Sequence, residues 1–485
     1  MKAVSVSDNQ LDVFEAPMID SSIEDSQYVV YYDDDGESFT AQKTNNYVIR
    51  TKDLNSFLNI RDSFLELSIA GGLDVGATAQ RDGVAPAAGT EGLQNLPATA
   101  GGVGITVKAA NDQLATRRNF NGDQTEAVII KNAWCWFSNV RYTINEVTIE
   151  DISEPQECSD MKLYKNLNPD SAKAYNKMNF FNGPTHPNAL TPENYAEVNT
   201  GTVQRSFLPL TSLLGVDDAK LMRGLKHTLH LTPQRDYTQV IQAIKVDDDG
   251  NPDEDGPEIT IANPALYIQR LRWWVPVAEP SLKSILDYDR EVDSGASTIH
   301  LFCGMRHYYS ENSTAQQRNY YVNSEDNHIK RVYVWVMEVA KETSYSERNF
   351  ERGIDSLTAV ELRLNSEILP RERLNFVLSA DDVDASRPYN MMLDSMDKSL
   401  WNPDNEPVLT FEDWRSSQNI FVFEAPQRYD HLDAKSQDVN VKVNFSAAPA
   451  EYRIHVVIET ENQMMVSGSD NRVSLGLTRE RLESE

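Results

Sequence analysis

Cysteine is scarce in this sequence of 485 residues: only Cys135, Cys158 and Cys303 occur. None forms a C-x-x-C pair, so neither a zinc ribbon nor a disulfide scaffold is indicated. A low, odd count suits assembly in a reducing compartment. Long apolar runs are also missing. No stretch approaches the roughly 18 residues of a membrane span. The N-terminal MKAVSVSDNQLDVFEAP lacks the apolar run of a secretory signal. Without a secretory route, the N-x-S/T triplets at Asn312 and Asn444 are expected to be chance matches. Positive charge is in deficit too: 45 basic residues against 74 acidic ones leave a net charge of −29. Extensive direct binding to nucleic acid needs a basic footprint, which this balance does not supply. A solvated acidic surface that keeps monomers apart is the simpler reading. No clear basic import cluster appears.

What is present is an ordinary globular balance, 40% hydrophobic and 25% charged, which excludes a disordered chain. The length allows about two to three domains and a core that needs no staples. Residues 1–40 hold ten acidic residues and one lysine, Lys2. This segment is expected to be an acidic arm, weakly ordered alone and free to dock on a partner subunit.

Period-two patterns dominate from about Phe39 onward. They cover residues 46–51, 63–70, 127–130, 139–152, 225–231 and 237–246, with 259–261 after an acidic loop. In the second half they cover 298–303, 331–339, 359–364, 419–423, 439–445 and 452–459. The clearest is Val439, Val441, Val443 and Phe445 against Asn440, Lys442 and Asn444, one face buried and one wet. Residues 332–337 are apolar on both faces and predict a covered central strand. Between these lie a Gly/Ala/Pro/Thr-rich loop over 71–104 and an irregular stretch over 154–201 with five prolines. Helical patterns are few: residues 280–288 and 390–396. Many strands, long loops and little helix argue for sandwiches or barrels. A jelly roll has about eight strands, so two in tandem account for the length. The expected division is an arm over 1–38, a first roll over 39–275, a second over 276–466 and a tail over 467–485. The seam is expected near WWVPVAEP, residues 273–280, where two prolines interrupt the pattern.

Motifs that carry chemistry are weak. The acidic loop DDDGNPDEDGPE, residues 247–258, invites a calcium reading, but neither register puts Gly at position six and Glu at position twelve. A solvated hairpin loop is preferred. His227 and His230 lie three apart on a strand and face opposite ways, so they cannot chelate one metal. Cys303 and His307 share a facing, yet nothing marks an activating site, and a structural cysteine is preferred. Ser159 and Lys162 match S-x-x-K without its companion motifs. Trp134, Trp136, Trp273, Trp274 and Trp335 are read as core or interface packing rather than a sugar platform. No catalytic, cofactor-binding or metal residue is assigned, and the chain is not expected to be an enzyme.

Three segments carry a resemblance. The first, residues 205–241, contains Pro209–Leu210, Leu214–Gly215, Gly224, His227, Leu229, Leu231 and Asp236. The second, residues 268–281, contains RLRWWVPVAEPS. The third is VELRLNSEILP, residues 360–370. In order and spacing they resemble double jelly-roll major capsid proteins of the Polinton-like virus, adintovirus and virophage group, with the second resembling the passage between rolls. The sequence departs from that pattern at Val216, where an aromatic is expected, and in the length of 71–104.

The resemblance implies an icosahedral DNA virus shell built of homotrimeric, pseudo-hexameric, hexon-like capsomers. It implies partners among neighbouring capsomers, penton and minor capsid proteins, and a place in the virion after assembly inside the host cell. It implies no sequence-specific nucleic-acid contact and no catalytic residue. Loops 71–104, 154–201 and 247–258 become candidates for the outer face. The rival from another class is a tandem β-sandwich carbohydrate-binding or glycoside-active protein.

Overall fold

A computed structural model describes residues 23–72, 118–179, 196–197, 204–246, 265–323 and 328–475, apart from residues 40–42, 53–54, 121–122, 130–132, 237–239, 344–351, 366, 373, 379–384, 426–437 and 469–470. The first half runs β1 (Ile23–Tyr32), β2 (Tyr47–Arg50), β3 (Phe57–Leu58), β4 (Phe64–Gly72), β5 (Arg118–Phe120), β6 (Asp123–Ile129), β7 (Phe137–Ile144) and β8 (Val147–Ser153). Then come α1 (Pro155–Asn166), α2 (Pro169–Asn179), β9 (Ala196–Glu197), β10 (Gln204–Pro209), β11 (His227–Pro233), β12 (Ile241–Val246) and β13 (Ala265–Pro280). Helix α3 (Leu282–Asp293) leads to the second half. There follow β14 (Ser297–Tyr309), β15 (Gln317–Val322), β16 (Ile329–Glu338), α4 (Val339–Thr343), β17 (Leu357–Leu364), β18 (Glu367–Leu369), α5 (Ser386–Ser395) and α6 (Phe411–Ser417). The last strands are β19 (Phe421–Glu424), β20 (Val439–Phe445), β21 (Tyr452–Ser467) and β22 (Val473–Leu475).

One strand order occurs twice. Number the framework strands of the first half one to eight: β1, β2, β4, β7, β8, β10, β11, β13. Its sheets are β1-β13-β4-β10 and β2-β11-β7-β8, or 1-8-3-6 and 2-7-4-5. In the second half the sheets β14-β21-β16-β19 and β15-β20-β17-β18 give the same two orders. All named pairings are antiparallel. This is the eight-stranded jelly roll, twice in tandem. Because successive strands reverse direction, connections one–two, three–four, five–six and seven–eight all open at the same end of a roll. In the first roll three of these connections meet in a sheet of their own: β12-β6-β5, with β9 on β6.

Alternation builds the cores. In β20, Val439, Val441, Val443 and Phe445 are buried while Asn440 and Lys442 are half-buried. Strand β16 is covered on both faces, as its apolar run predicts. Leu65, Leu67, Val140, Tyr142, Leu229 and Leu271 fill the first roll; Val334, Val360, Leu362, Val441 and Val456 fill the second. At about 25 cal/mol per Å² of apolar surface, this burial is the main stabilising term.

Four expectations are corrected. Residues 273–280 do not break the strand pattern: they complete β13. Pro276 sits where β13 passes from its pairing with β4, ending at Trp274, to its pairing with β3, starting at Val277. A proline is tolerated there because the ladder changes partner. The passage between rolls is α3 instead, capped by the Ser281 hydroxyl accepting from the Ser284 amide. Residues 23–32, assigned to the acidic arm on charge, form β1 on the edge of the first sheet. An edge strand needs only backbone pairing and a few apolar contacts, here Tyr31 and Val29, so Glu24 and Asp25 stay in water. Within the stretch 154–201, expected to be irregular, α1 and α2 form. Pro155 and Pro169 are their first residues, a position where proline favours a helix. The two helical patterns expected at 280–288 and 390–396 are present as α3 and α5. The strand at 259–261 and most of loop 71–104 lie outside the described residues.

Candidate assembly interface

Strand β8 ends at Ser153, and Glu154 turns the chain into α1 with a left-handed φ of 49°. Helix α1 packs against the 3-10 turn Ala133–Trp136 and β7 of its own roll, and against β14 and β21 of the other. Residues 155–164 are all buried, including Gln156, Glu157, Asp160 and Lys162. A helix buried on every side but rich in polar residues requires partners for each charge.

The second roll supplies them. The Arg352 guanidinium donates to Glu157 Oε2 at 2.8 and 3.1 Å, to Asp160 Oδ2 at 2.5 Å and to Gln418 Oε1 at 2.9 Å. Burial opposes the Arg352 charge, but Glu157 and Asp160 hold its pKa above the ordinary arginine value. Lys165 Nζ lies 2.6 Å from Glu459 Oε1, a carboxylate with no solvent exposure. Arg331 Nη1, 3.3 Å from the same oxygen, and the Tyr333 hydroxyl, 2.9 Å from the other, complete its shell. Burial raises the Glu459 pKa, but Lys165 and Arg331 outweigh it and the net shift is downward. Lys398 Nζ donates to the Leu167 carbonyl just beyond α1 at 2.6 Å. Lys162 turns back to its own roll, to the Leu214 carbonyl and Asp217 Oδ2, both at 2.6 Å.

A second seam is backbone on backbone. The Cys303 amide of β14 donates to the Gly215 carbonyl at 3.3 Å. A side chain at Gly215 would place its Cβ 2.3 Å from the Cys303 carbonyl oxygen, so only glycine fits. The Gly215 amide donates to Glu150 Oε1 at 2.9 Å. Burial pushes the Glu150 pKa up to about 7 against the pull of Lys162 and that amide. At the other end of β8, Asn145 Nδ2 donates to the Asn471 carbonyl at 3.0 Å.

The residues singled out by sequence go elsewhere. His227 is buried, with Nδ1 2.7 Å from the Tyr142 hydroxyl, and burial together with His300 lowers its pKa to about 3. His230 is half-buried on the opposite face, so the pair is not brought together. Cys303 meets Gly215, while His307 stacks on Trp335. Four residues of strand, about 13 Å, separate them. Ser159 is buried in α1, and Lys162 serves Leu214 and Asp217. Trp134, Trp136, Trp273 and Trp335 are buried; Trp274 donates to Glu66 at 2.8 Å. Loop 247–258 lies outside the described residues. Among the described residues no cluster of three or more metal-ligating side chains occurs, and no helix is long and apolar enough to cross a membrane.

Sequence reasoning missed Arg352, Glu459 and the Glu154 end of α1, whose ionic partners lie more than 100 residues away. It also missed Trp401, 93% exposed beside exposed Leu400, and Leu282 and Leu286, both exposed on one side of α3.

The sequence matches no protein-family model and no curated protein. Solved structures do match. A chain of the Sputnik virophage structure determined by cryo-EM aligns with TM-score 0.52 and 11% identity, over 99% of this chain and 94% of that one. The mavirus major capsid protein aligns with TM-score 0.47 and 11% identity, over 98% and 95%. The PBCV-1 virus capsid aligns with TM-score 0.49 and 9% identity, over 96% and 99%. At such identity the virophage likeness is one of fold, and it spans both rolls.

Proposed function

We propose that this double jelly roll is the major capsid protein of an icosahedral DNA virus, in the virophage and Polinton-like group. The observation that carries the reading is the repeat of 1-8-3-6 and 2-7-4-5 in two rolls locked by a buried seam. A rigid pair of equivalent rolls is one third of a pseudo-hexagon, so three copies make a six-cornered tile. The fold shared with a chain of a virophage over nearly the whole length supports it.

The mechanism is assembly. Trimers form first, then tile with neighbouring capsomers, penton and minor capsid proteins inside the host cell. The role is structural, not enzymatic. The first roll's third sheet stands at one end, where the outer face of the tile would be. The acidic surface leaves genome neutralisation to other proteins or counterions. The division into first roll, second roll, acidic arm and tail belongs to the same proposal, with β1 moved into the first roll and α3 as the joint.

The carbohydrate-active rival gains little: Trp134, Trp136, Trp273, Trp274 and Trp335 are taken up by packing or hydrogen bonding, which leaves the single exposed Trp401 rather than an aromatic platform. The test is the native mass of the purified chain by light scattering on a sizing column, with negative-stain images of the peak. The expected result is three times 54.8 kDa with six-cornered particles. A stable monomer at high concentration overturns the trimer.

A further inference from the structure

The outer face of the second roll's first sheet holds a chain of four side chains that ends on the first roll. His307 on β14 and His455 on β21 are diagonal neighbours, since His307 pairs with Val457 and Tyr309 with His455. Their rings lie within 14° of parallel, with Nε2 of His307 3.1 Å from Nδ1 of His455. His307 Nδ1 is 2.9 Å from Glu154 Oε2, at the start of α1. His455 Nε2 is 2.6 Å from Glu342 Oε1, on α4. Trp335, opposite His455 on β16, stacks on both imidazoles at 5.7 and 5.3 Å.

Three links join carboxylate, imidazole, imidazole and carboxylate, and each link needs one proton between its two atoms. Two neutral histidines bring only two protons to their four ring nitrogens. Whichever tautomers they adopt, one link is then left with two lone pairs facing. Three protons, one imidazolium shared by the pair, satisfy all three. A fourth sets N–H against N–H across 3.1 Å, with two cations side by side.

We propose that Glu154, His307, His455 and Glu342 form a one-proton latch that ties the first roll to the second, closed near neutral pH and opened by acid. The charges around it fit one imidazolium. Arg453 Nη1 holds the other oxygen of Glu342 at 2.7 Å and lies 5.5 Å from the Tyr309 ring. Arg352, 5.5 Å from the Trp335 ring, is matched by Glu157 and Asp160. With Arg453, the two carboxylates and the one imidazolium, the group is neutral. Burial is the largest single influence on Glu154 and raises its pKa, but His307 and His455 together outweigh it and the net shift is downward, so this carboxylate stays charged. The Glu154 side chain is 38% exposed, which opens a path for protons from water. The latch rests on these contacts alone and stands whether or not the chain builds a capsid.

The sign follows from proton counts. Free imidazoles titrate near 6.5. Above that, the unfolded chain carries two neutral rings while the latch holds one extra proton, so stability falls as pH rises and the proton is lost. Below it, the unfolded chain takes two protons while the latch accommodates one, so stability falls again.

Glu342→Gln separates this latch from simple ion pairing. Its amide N–H can donate to a bare His455 Nε2, so two neutral histidines then close all three links. Glu154→Gln does the same from the other end. The measurement is the thermal unfolding midpoint of the full chain from pH 5 to 9, with hydrogen exchange of α1 amides. Glu150, with its pKa of about 7, has an opposing slope below pH 7, so the comparison is made in a Glu150→Gln background. That background should show an optimum, with falls on both sides and looser α1 in acid. Adding either latch Gln substitution should keep the acid fall and lose the alkaline one, a slope difference of up to one bound proton. Parallel profiles between pH 7 and 9 for the background and whichever latch variant folds overturn the latch, as does a background profile without an acid fall.

Discussion

The two rolls thread eight strands through one order, yet differ in what joins them. In the first roll the three–four, five–six and seven–eight connections span residues 73–136, 154–203 and 234–264. In the second they span 339–356, 370–420 and 446–451. Pairing within the sandwich fixes strand order, so length can change only where strands turn. The three–four and seven–eight connections are longer in the first roll, and their strands build most of the extra sheet at the end of that roll. The five–six connections are equal in length, but the first roll's carries α1, which reaches across to the polar outer face of β14 and β21. The second roll's first sheet is therefore two-sided: Val332, Val334, Val336, Ile454, Val456 and Ile458 face one way, Arg331, Tyr333, Trp335, His455 and Glu459 the other, all buried. The apolar residues of both rolls join in one buried cluster, while the contacts that α1 makes with the second roll are largely charged.

Breaking the seam should cost most. Arg352→Met leaves Glu157 and Asp160 buried without their cation, a loss of about 3–5 kcal/mol of stability. Denaturant unfolding followed by tryptophan fluorescence measures it, and a loss under about 1 kcal/mol would mean that the seam is solvated. Core truncation tests whether the rolls are equivalent. Leu229→Ala in the first and Leu362→Ala in the second, both fully buried, should each cost about 3 kcal/mol. A large imbalance would show that one roll carries the fold.

Glu150 sharpens the contrast with a pH dependence of its own. Its folded pKa of about 7 lies above the ordinary 4.5. Between those values the unfolded chain ionises while the folded one keeps its proton, so stability falls as pH rises through that window. Glu150→Gln keeps an acceptor for the Gly215 amide and removes the penalty. It should stabilise by on the order of 3 kcal/mol at pH 8 and by nearly nothing at pH 4. Equal effects at both pH values would place the Glu150 charge in water.

The rolls were far more legible in the sequence than the seam. Val439, Val441, Val443 and Phe445 declare their strand because one face is wet, and β16 declares itself by an unbroken apolar run. Strand β13 hides because Pro276 and Pro280 resemble a break, and only the change of partner from β4 to β3 makes them tolerable. Helix α1 hides because burial on every side erases the periodicity that marks a surface helix. Its charges look solvated until Arg352, 195 positions from Glu157, is folded onto them. A seam made of long-range charge pairs leaves no local pattern, and His307 looked like a neighbour of Cys303 rather than of His455.

The smallest effect on folding should come from Trp401→Ser. At 93% exposure the indole makes little contact within its own chain, so monomer stability should change by less than about 0.5 kcal/mol. Exposed tryptophan is costly in water and is a favoured anchor of protein interfaces. Trp401 sits with exposed Leu400 in the second roll's five–six connection, the counterpart of the connection from which the first roll sends out α1. If that connection reaches a neighbouring copy as α1 reaches the second roll, the variant keeps its unfolding midpoint as a dilute monomer and loses trimer on the sizing column. A variant that trimerises as wild type does removes this connection from the subunit contact and leaves the trimer to the sides of the rolls.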